Sequence, residues 1–153
     1  REVKEWFDGT VILSGSIGDG FSVASSLALG ADFAYMGTRF IATKEANADQ
    51  GYKEMLIESA ADDIVYSNLF TGVSGNYLKP SIKNAGLDPD NLPEADKSAM
   101  NFGSGGNTDA KAWKDIWGSG QGIGGIKDDP SVGDLVKRII DEYNQAKKEF
   151  NDK

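Results

Sequence analysis

The sequence predicts an α/β protein whose strands pair in parallel. Three features indicate this class: a β-branched apolar run at residues 10–14, a helical stretch at residues 21–29, and a second short strand at residues 32–36. Short continuous apolar runs are typical of strands that are buried on both faces of a parallel sheet. A strand, a helix and a second strand within about 27 residues form a βαβ unit.

The segments around this unit are predicted from their helix and turn signals. Residues 1–7 should form the last turns of a helix that Asp8 and Gly9 end. A turn of small residues, 15–20, joins the first strand to its helix, and Gly30 ends that helix. The chain begins with Arg1 rather than Met and reaches its first strand at Thr10. We therefore expect it to be a piece of a longer protein.

Beyond residue 40 the pattern becomes mostly helical. A helix is predicted over residues 47–61, an extended or irregular stretch over 64–70, a short helix over 78–85, a loop over 88–98 and a flexible turn over 103–107. One face of the first of these helices carries Tyr52, Met55, Leu56 and Ser59. The last element is a long amphipathic helix, for which Asp129 is the predicted N-cap and Pro130 the first helical residue.

Composition and charge exclude several functional classes. The chain has 24 acidic and 16 basic residues, a net charge of −8, and neither histidine nor cysteine. A nucleic-acid backbone binder, a disulfide scaffold and a Cys/His zinc site are therefore not expected, and no metal site is predicted. No apolar run approaches the roughly 20 residues that span a bilayer, and no signal peptide is evident, so we expect no membrane partner and a cytoplasmic location. Without histidine or cysteine, a Ser-His-Asp or Cys-His catalytic arrangement is impossible within these residues.

The ends of the two predicted strands form the main candidate site. Small residues at 14–20 let backbone N–H groups approach an anion, and the following helix directs its positive end there. A phosphate-binding turn and a glycine-rich turn without a ligand fit this segment equally well. Gly37 and Thr38 directly follow the second strand, and the ends of neighbouring parallel strands face one mouth of a barrel. The two ends together can hold one phosphate, whereas the side chain of Arg39 is expected to pair with an acidic neighbour.

A second glycine-rich segment is not predicted to bind a dinucleotide. Residues 120–125 (GQGIGG) match G-x-G-x-x-G, but they follow no strand and open no helix. The loop around them contains Trp117, Gln121 and Gly122, and it can either lie across a flat aromatic ligand or simply pack at the surface.

Three stretches of sequence carry a resemblance to a known family. Residues 14–43 (SGSIGDGFSVASSLALGADFAYMGTRFIAT) resemble the phosphate-binding part of the nitronate monooxygenase, or 2-nitropropane dioxygenase, family. Residues 76–93 (NYLKPSIKNAGLDPDNLP) and 111–129 (KAWKDIWGSGQGIGGIKDD) are similar to its C-terminal region. These enzymes are FMN-dependent TIM barrels, so the resemblance implies the C-terminal part of a TIM barrel, with about its last two strands, plus a mostly helical C-terminal extension. The implied boundaries are 1–45 for the barrel end and 46–153 for the extension, which would carry a loop near the active site and the closing helix.

The resemblance also implies a site and a reaction. By position, the residues that match the family's FMN phosphate turns are Ser14, Gly15, Ser16, Tyr35, Met36, Gly37 and Thr38. Ser16 stands where many relatives have a second glycine. Trp117, Gln121 and Gly122 are implied to lie near the flavin or the substrate. No catalytic residue is assigned in this chain, because the family's catalytic histidine lies upstream and has no counterpart here.

The implied activity is oxidation of alkyl nitronates with FMN and O₂ to a carbonyl compound and nitrite. The alternatives are an FMN-dependent NADH:quinone reductase or enoyl reductase on the same barrel, and, in another class, a non-catalytic structural or interaction module. The 153 residues alone are expected to be inactive. The sequence leaves the oligomeric state open.

Overall fold

The computed structural model describes residues 1–94 and 114–153. Its helices and strands, in chain order, are α1 Glu2–Trp6, β1 Ile12–Ser14, α2 Gly20–Ala28, β2 Phe33–Tyr35, α3 Thr38–Ile41, α4 Gln50–Glu58, β3 Ile64–Ser67, β4 Gly75–Leu78, α5 Lys79–Asn84 and α6 Val132–Asn151. Short 3₁₀ turns cover Ala61–Asp63 and Gln121–Gly125. The predicted loop at 88–98 lies partly outside the described residues, and the predicted turn at 103–107 lies entirely outside them.

The chain divides into two compact units. The first comprises residues 1–57 and 122–153, and the second comprises residues 58–121. The first therefore contains the βαβ segment together with the closing helix. The predicted division after residue 45 stays a prediction.

The βαβ unit forms as predicted. Strands β1 and β2 pair in parallel, with Ile12 opposite Phe33 and Ser14 opposite Tyr35. Helix α2 connects them and begins at a capping box, in which the Asp19 carboxylate accepts the Ser22 N–H and the Ser22 hydroxyl accepts the Asp19 N–H. Gly30 ends the helix with a φ of 97°, which glycine adopts without steric cost.

The prediction that these strands are buried on both faces is wrong for this chain. Ile12 is 58% exposed, Phe33 60% and Tyr35 64%. Among the described residues, β1 and β2 pair only with each other, so no further strand covers their outer edges. The apolar side chains that a larger sheet would bury therefore face solvent here.

The closing helix α6 is also present, but it starts later than predicted. Its N-cap is Ser131 rather than Asp129, and the Ser131 hydroxyl accepts the N–H of Asp134 at 3.1 Å. The Glu45 carboxylate accepts the N–H of Val132 at 2.9 Å. These two partners satisfy free N–H groups of the first turn, so Pro130 lies before the helix rather than at its first position.

Helix α4 is shorter than the predicted 47–61, and Ser59 lies just beyond its end. Leu56 and Ser59 are buried, and Tyr52 and Met55 are half-buried. Lys53 is buried as well, at 5% exposure, and its ammonium donates to the carbonyl of Thr43 at 2.7 Å. A carbonyl acceptor reduces the desolvation cost of that buried cation.

The second unit contains an antiparallel hairpin. Strand β3 pairs with β4, which was not predicted as a strand. Its core consists of Leu69, Phe70, Tyr77, Ile82 and Ile116, in which the rings of Phe70 and Tyr77 meet edge to face at 4.9 Å. In the described parts of both units, no helix is long and apolar enough to cross a membrane.

Candidate functional site

The two candidate strand ends lie side by side. The register places Ser14 opposite Tyr35, and the Ser14 hydroxyl donates to the Tyr35 carbonyl at 3.4 Å. Because the strands are parallel, the turns that follow them leave the sheet at the same end. Residues 14–16 and 36–38 are therefore neighbours in the first unit.

The first turn contains two successive residues with positive φ. Gly15 has a φ of 99° and Ser16 a φ of 55°, so two successive residues adopt the left-handed region. Turns of this kind can direct successive N–H groups into one concavity. A side chain in this region costs about 1–2 kcal/mol, so the backbone at position 16 favours glycine. In this chain Ser16 adopts the positive φ despite that cost.

Both turns leave open space beside glycine backbone. A Cβ added to Gly15 or to Gly37 would meet no atom within 4 Å. Gly15 and Gly37 are exposed, as are Ser14 and Ser16, while Met36 and Thr38 are half-buried. The space that a side chain would occupy at these two glycines is therefore open.

The beginning of α2 is less available to a ligand than the sequence suggested. The Glu142 carboxylate on α6 accepts the N–H of Gly20 at 2.8 Å, and the Asp19 carboxylate accepts the N–H of Ser22 at 2.7 Å. These N–H groups already have partners, and the two carboxylates offset the positive end of the helix. Contrary to expectation, an anion at this site must rely on the turn before α2 rather than on those N–H groups.

Arg39 pairs with an acidic neighbour, as predicted. It is 3% exposed, and its Nη2 donates to Asp128 Oδ1 at 2.8 Å. Its Nη1 donates to the carbonyls of Ala42 at 3.2 Å and Asp128 at 3.1 Å. The guanidinium is thus occupied within the protein and is not directed at a ligand.

Asp128 also forms an ion pair with a second arginine, and this pair favours the ionised form of its carboxyl group. Arg138 on α6 donates to both carboxylate oxygens, at 3.0 and 2.6 Å. Hydrogen bonding from Arg138, and the charges of both arginines, lower the pKa of Asp128 from its usual 3.8, whereas burial lowers the pKa of Arg39. Asp128 therefore stays ionised at neutral pH.

Asp128→Asn is expected to reduce stability at neutral pH and to reduce it less as the pH falls below about 4. Since the folded protein lowers the pKa of Asp128, its contribution is present above about pH 4 and is lost as the pH falls through the folded value. The effect should be about 1 kcal/mol, because the side chain is 42% exposed and water screens the pair. Urea unfolding of both proteins between pH 7 and pH 3 tests this. A difference that stays constant across the range would contradict it.

One residue of the glycine-rich loop, Gly122, lies against the backbone of the first turn. A Cβ added to Gly122 would lie 2.9 Å from Cα and 3.0 Å from the carbonyl oxygen of Ser16. Only glycine permits this approach without moving backbone. The segment forms a 3₁₀ turn rather than a strand-to-helix connection, so it is not a dinucleotide fingerprint.

Trp117 and Gln121 belong to the second unit. The N–H of Trp117 donates to the Ser81 hydroxyl at 3.0 Å, and its carbonyl accepts the N–H of Leu78 at 2.8 Å. Gln121 is exposed. Their proximity to a flavin stays a prediction.

Comparison with known proteins identifies the family. The nitronate monooxygenase family model matches residues 2–142. A nitronate monooxygenase of Paraburkholderia phytofirmans is 37% identical over 79 residues, 52% of this chain and 22% of that protein. One from Neurospora crassa is 27% identical over 166 aligned residues, 98% of this chain and 42% of that protein.

Two solved structures have a similar fold. FabK from Thermotoga maritima matches with a TM-score of 0.69 and 22% identity, covering 98% of this chain and 49% of that one. Nitroalkane oxidase from Streptomyces ansochromogenes matches with a TM-score of 0.67 and 22% identity, covering 97% and 43%. These likenesses confirm the predicted fold class, the C-terminal part of a TIM barrel with a mostly helical extension.

The chain spans less than half the length of each of these proteins. The family model nevertheless covers well over half of the chain, and the three stretches of sequence that carry the resemblance all lie within the matched range. The chain belongs to the nitronate monooxygenase family.

Proposed function

We propose that this chain is the phosphate-binding part of an FMN-dependent nitronate monooxygenase. The observation that carries the proposal is the pair of strand-end turns, in register and with open space beside Gly15 and Gly37. Family membership supports the same assignment.

The phosphate of FMN would be held from two directions. Gly15 and Ser16 would present backbone N–H groups from the first turn, and Ser14 could add its hydroxyl. The second turn, residues 35–38, would contribute backbone at Gly37 and the hydroxyl of Thr38. Exposed backbone beside two glycines fits a compact, strongly hydrogen-bonding group such as a phosphate monoester.

The share of this chain in the reaction is binding and orientation. Bound FMN supplies the electron transfer between an alkyl nitronate and O₂. By binding the phosphate at the strand ends, the chain would hold one end of the cofactor in place. This contact would also fix the position of the cofactor's ring. The 153 residues contain no histidine, so they offer no counterpart of the family's catalytic histidine.

The full-length protein is expected to release nitrite from an alkyl nitronate in the presence of O₂. Purified holoprotein is assayed for nitrite and, separately, for NADH oxidation with a quinone or an enoyl thioester. The 153-residue chain with added FMN serves as the blank and should release none. NADH oxidation without nitrite release would instead favour the quinone or enoyl reductase alternative, and no activity in any assay would favour the non-catalytic module.

Gln121→Ala should lower kcat/KM for the nitronate while leaving FMN content intact. An amide can both donate and accept at a flavin edge or a nitronate oxygen, and loss of one such hydrogen bond reduces kcat/KM roughly 2- to 10-fold. Gln145→Ala is the matched control, because Gln145 is an exposed glutamine on α6 that bonds Glu149. If both variants have the same kcat/KM, Gln121 is a surface residue that takes no part in turnover of the nitronate.

A nitronate and O₂ are therefore the proposed small-molecule partners. The cytoplasmic location and the absence of a nucleic-acid partner stay predictions from composition.

A further inference from the structure

A short segment of the first unit touches both strand-end turns. We call residues 122–128 the strap. At its start, Gly122 lies against the backbone of Ser16 in the first turn. At its end, Asp128 binds Arg39, the residue that follows Thr38 in the second turn.

The strap is held in place along its length. Ile123 is fully buried and Ile126 is 2% exposed, so two side chains anchor it in the core. The N–H of Ile126 donates to the carbonyl of Ile123 at 2.8 Å, which closes the turn between them. Arg138 fixes the Asp128 carboxylate from the other side. A segment with buried anchors and a charged clamp resists displacement.

The contacts at both ends involve groups that cannot easily adjust. The Gly122 contact is with Ser16 main chain rather than with a flexible side chain, so a larger residue must move the turn. Arg39 is 3% exposed and gives three hydrogen bonds, to Ala42 and Asp128. Removing its carboxylate partner leaves a buried cation with only carbonyl acceptors.

We propose that the strap sets the separation of the two phosphate-binding turns. Gly122, Arg39 and Asp128 are then positioning residues for the flavin phosphate, although none of them contacts it through its side chain. The inference rests on the proposed function, since it concerns the same phosphate. It adds that phosphate binding depends on a segment that lies more than 80 residues away in sequence from either turn.

The test compares FMN with riboflavin, which lacks the phosphate. Dissociation constants for both flavins are measured by fluorescence quenching with full-length apoprotein carrying Gly122→Ala or Asp128→Asn. Both variants should bind FMN about tenfold more weakly, with riboflavin affinity unchanged, because only the phosphate contacts are misaligned. Gly124→Ala is the matched control: it lies in the same 3₁₀ turn, and a Cβ there meets no atom within 4 Å.

The outcomes separate this inference from the proposed function. If the unmodified protein binds FMN no better than riboflavin, the phosphate site itself is misplaced. If it prefers FMN and both variants keep that preference, the proposed function stands and the strap inference is wrong. Equal weakening of both flavins, or loss of cooperative unfolding in both variants, would assign the strap to stability alone and would likewise overturn the inference.

Discussion

Gly37→Asp is expected to abolish FMN binding by the full-length protein. Gly37 is exposed just after β2, and a Cβ there would meet no atom within 4 Å, so the first atom of the new side chain meets no steric obstacle. The carboxylate would instead face the proposed phosphate. Two like charges about 4 Å apart repel by about 4 kcal/mol near a protein surface, or about a thousandfold in affinity. The flavin absorbance of the purified variant measures the loss.

Gly37→Asn is the matched control for that experiment. Asparagine has nearly the same shape as aspartate but no charge, so it separates repulsion from crowding. The asparagine variant should retain more flavin than the aspartate variant, and both apoproteins should unfold at similar urea concentrations. A yellow aspartate variant with full flavin stoichiometry would show that the phosphate lies elsewhere.

Local patterns in the sequence were sufficient to predict the βαβ unit. A β-branched run, a small-residue turn and an alanine- and serine-rich helix each specify their own backbone. The parallel pairing follows, because a crossover helix between adjacent strands requires it. The same reasoning placed the two strand ends side by side, which is the central geometric feature of the candidate site.

Long-range partners were the part that the sequence could not predict. The prediction that Arg39 pairs with an acid is confirmed, yet its partner Asp128 lies 89 residues away and no pattern distinguishes it from other acids. Glu142 binds Gly20 across 122 residues. Neither pairing leaves a periodic signal in the sequence, because the two partners are far apart along the chain and meet only when it folds.

The errors at the ends of elements have physical causes as well. Asp129 and Ser131 are both good N-cap residues, and the sequence does not show that Glu45 accepts the N–H of Val132 beside Ser131. Strand β4 was missed because residues 75–78 (GNYL) carry no alternating apolar pattern. Its pairing with β3, and the bond from Leu78 to the Trp117 carbonyl, come from tertiary contacts.

Gly20→Ala is expected to destabilise the protein, although alanine is normally favoured in helices. Gly20 is the first residue of α2, and a Cβ there would overlap the backbone of α6 at Ile139 and Tyr143. Backbone cannot move aside as a side-chain tip can, so the two helices must separate. Overpacking of this kind costs about 1–3 kcal/mol. It would also strain the hydrogen bond from Gly20 to Glu142.

The same substitution at Gly133 should have the opposite sign. Gly133 lies in the first turn of α6, is exposed, and offers an added Cβ only the Ser131 hydroxyl oxygen at 3.9 Å. Alanine there should stabilise the protein by about 0.5–1 kcal/mol, because glycine loses more backbone entropy in a helix. Urea unfolding of the two apoproteins, followed by circular dichroism, tests the pair. Helix propensity alone would raise the urea midpoint of unfolding for both variants. A higher midpoint for Gly20→Ala would therefore show that α2 and α6 do not pack backbone to backbone at this residue.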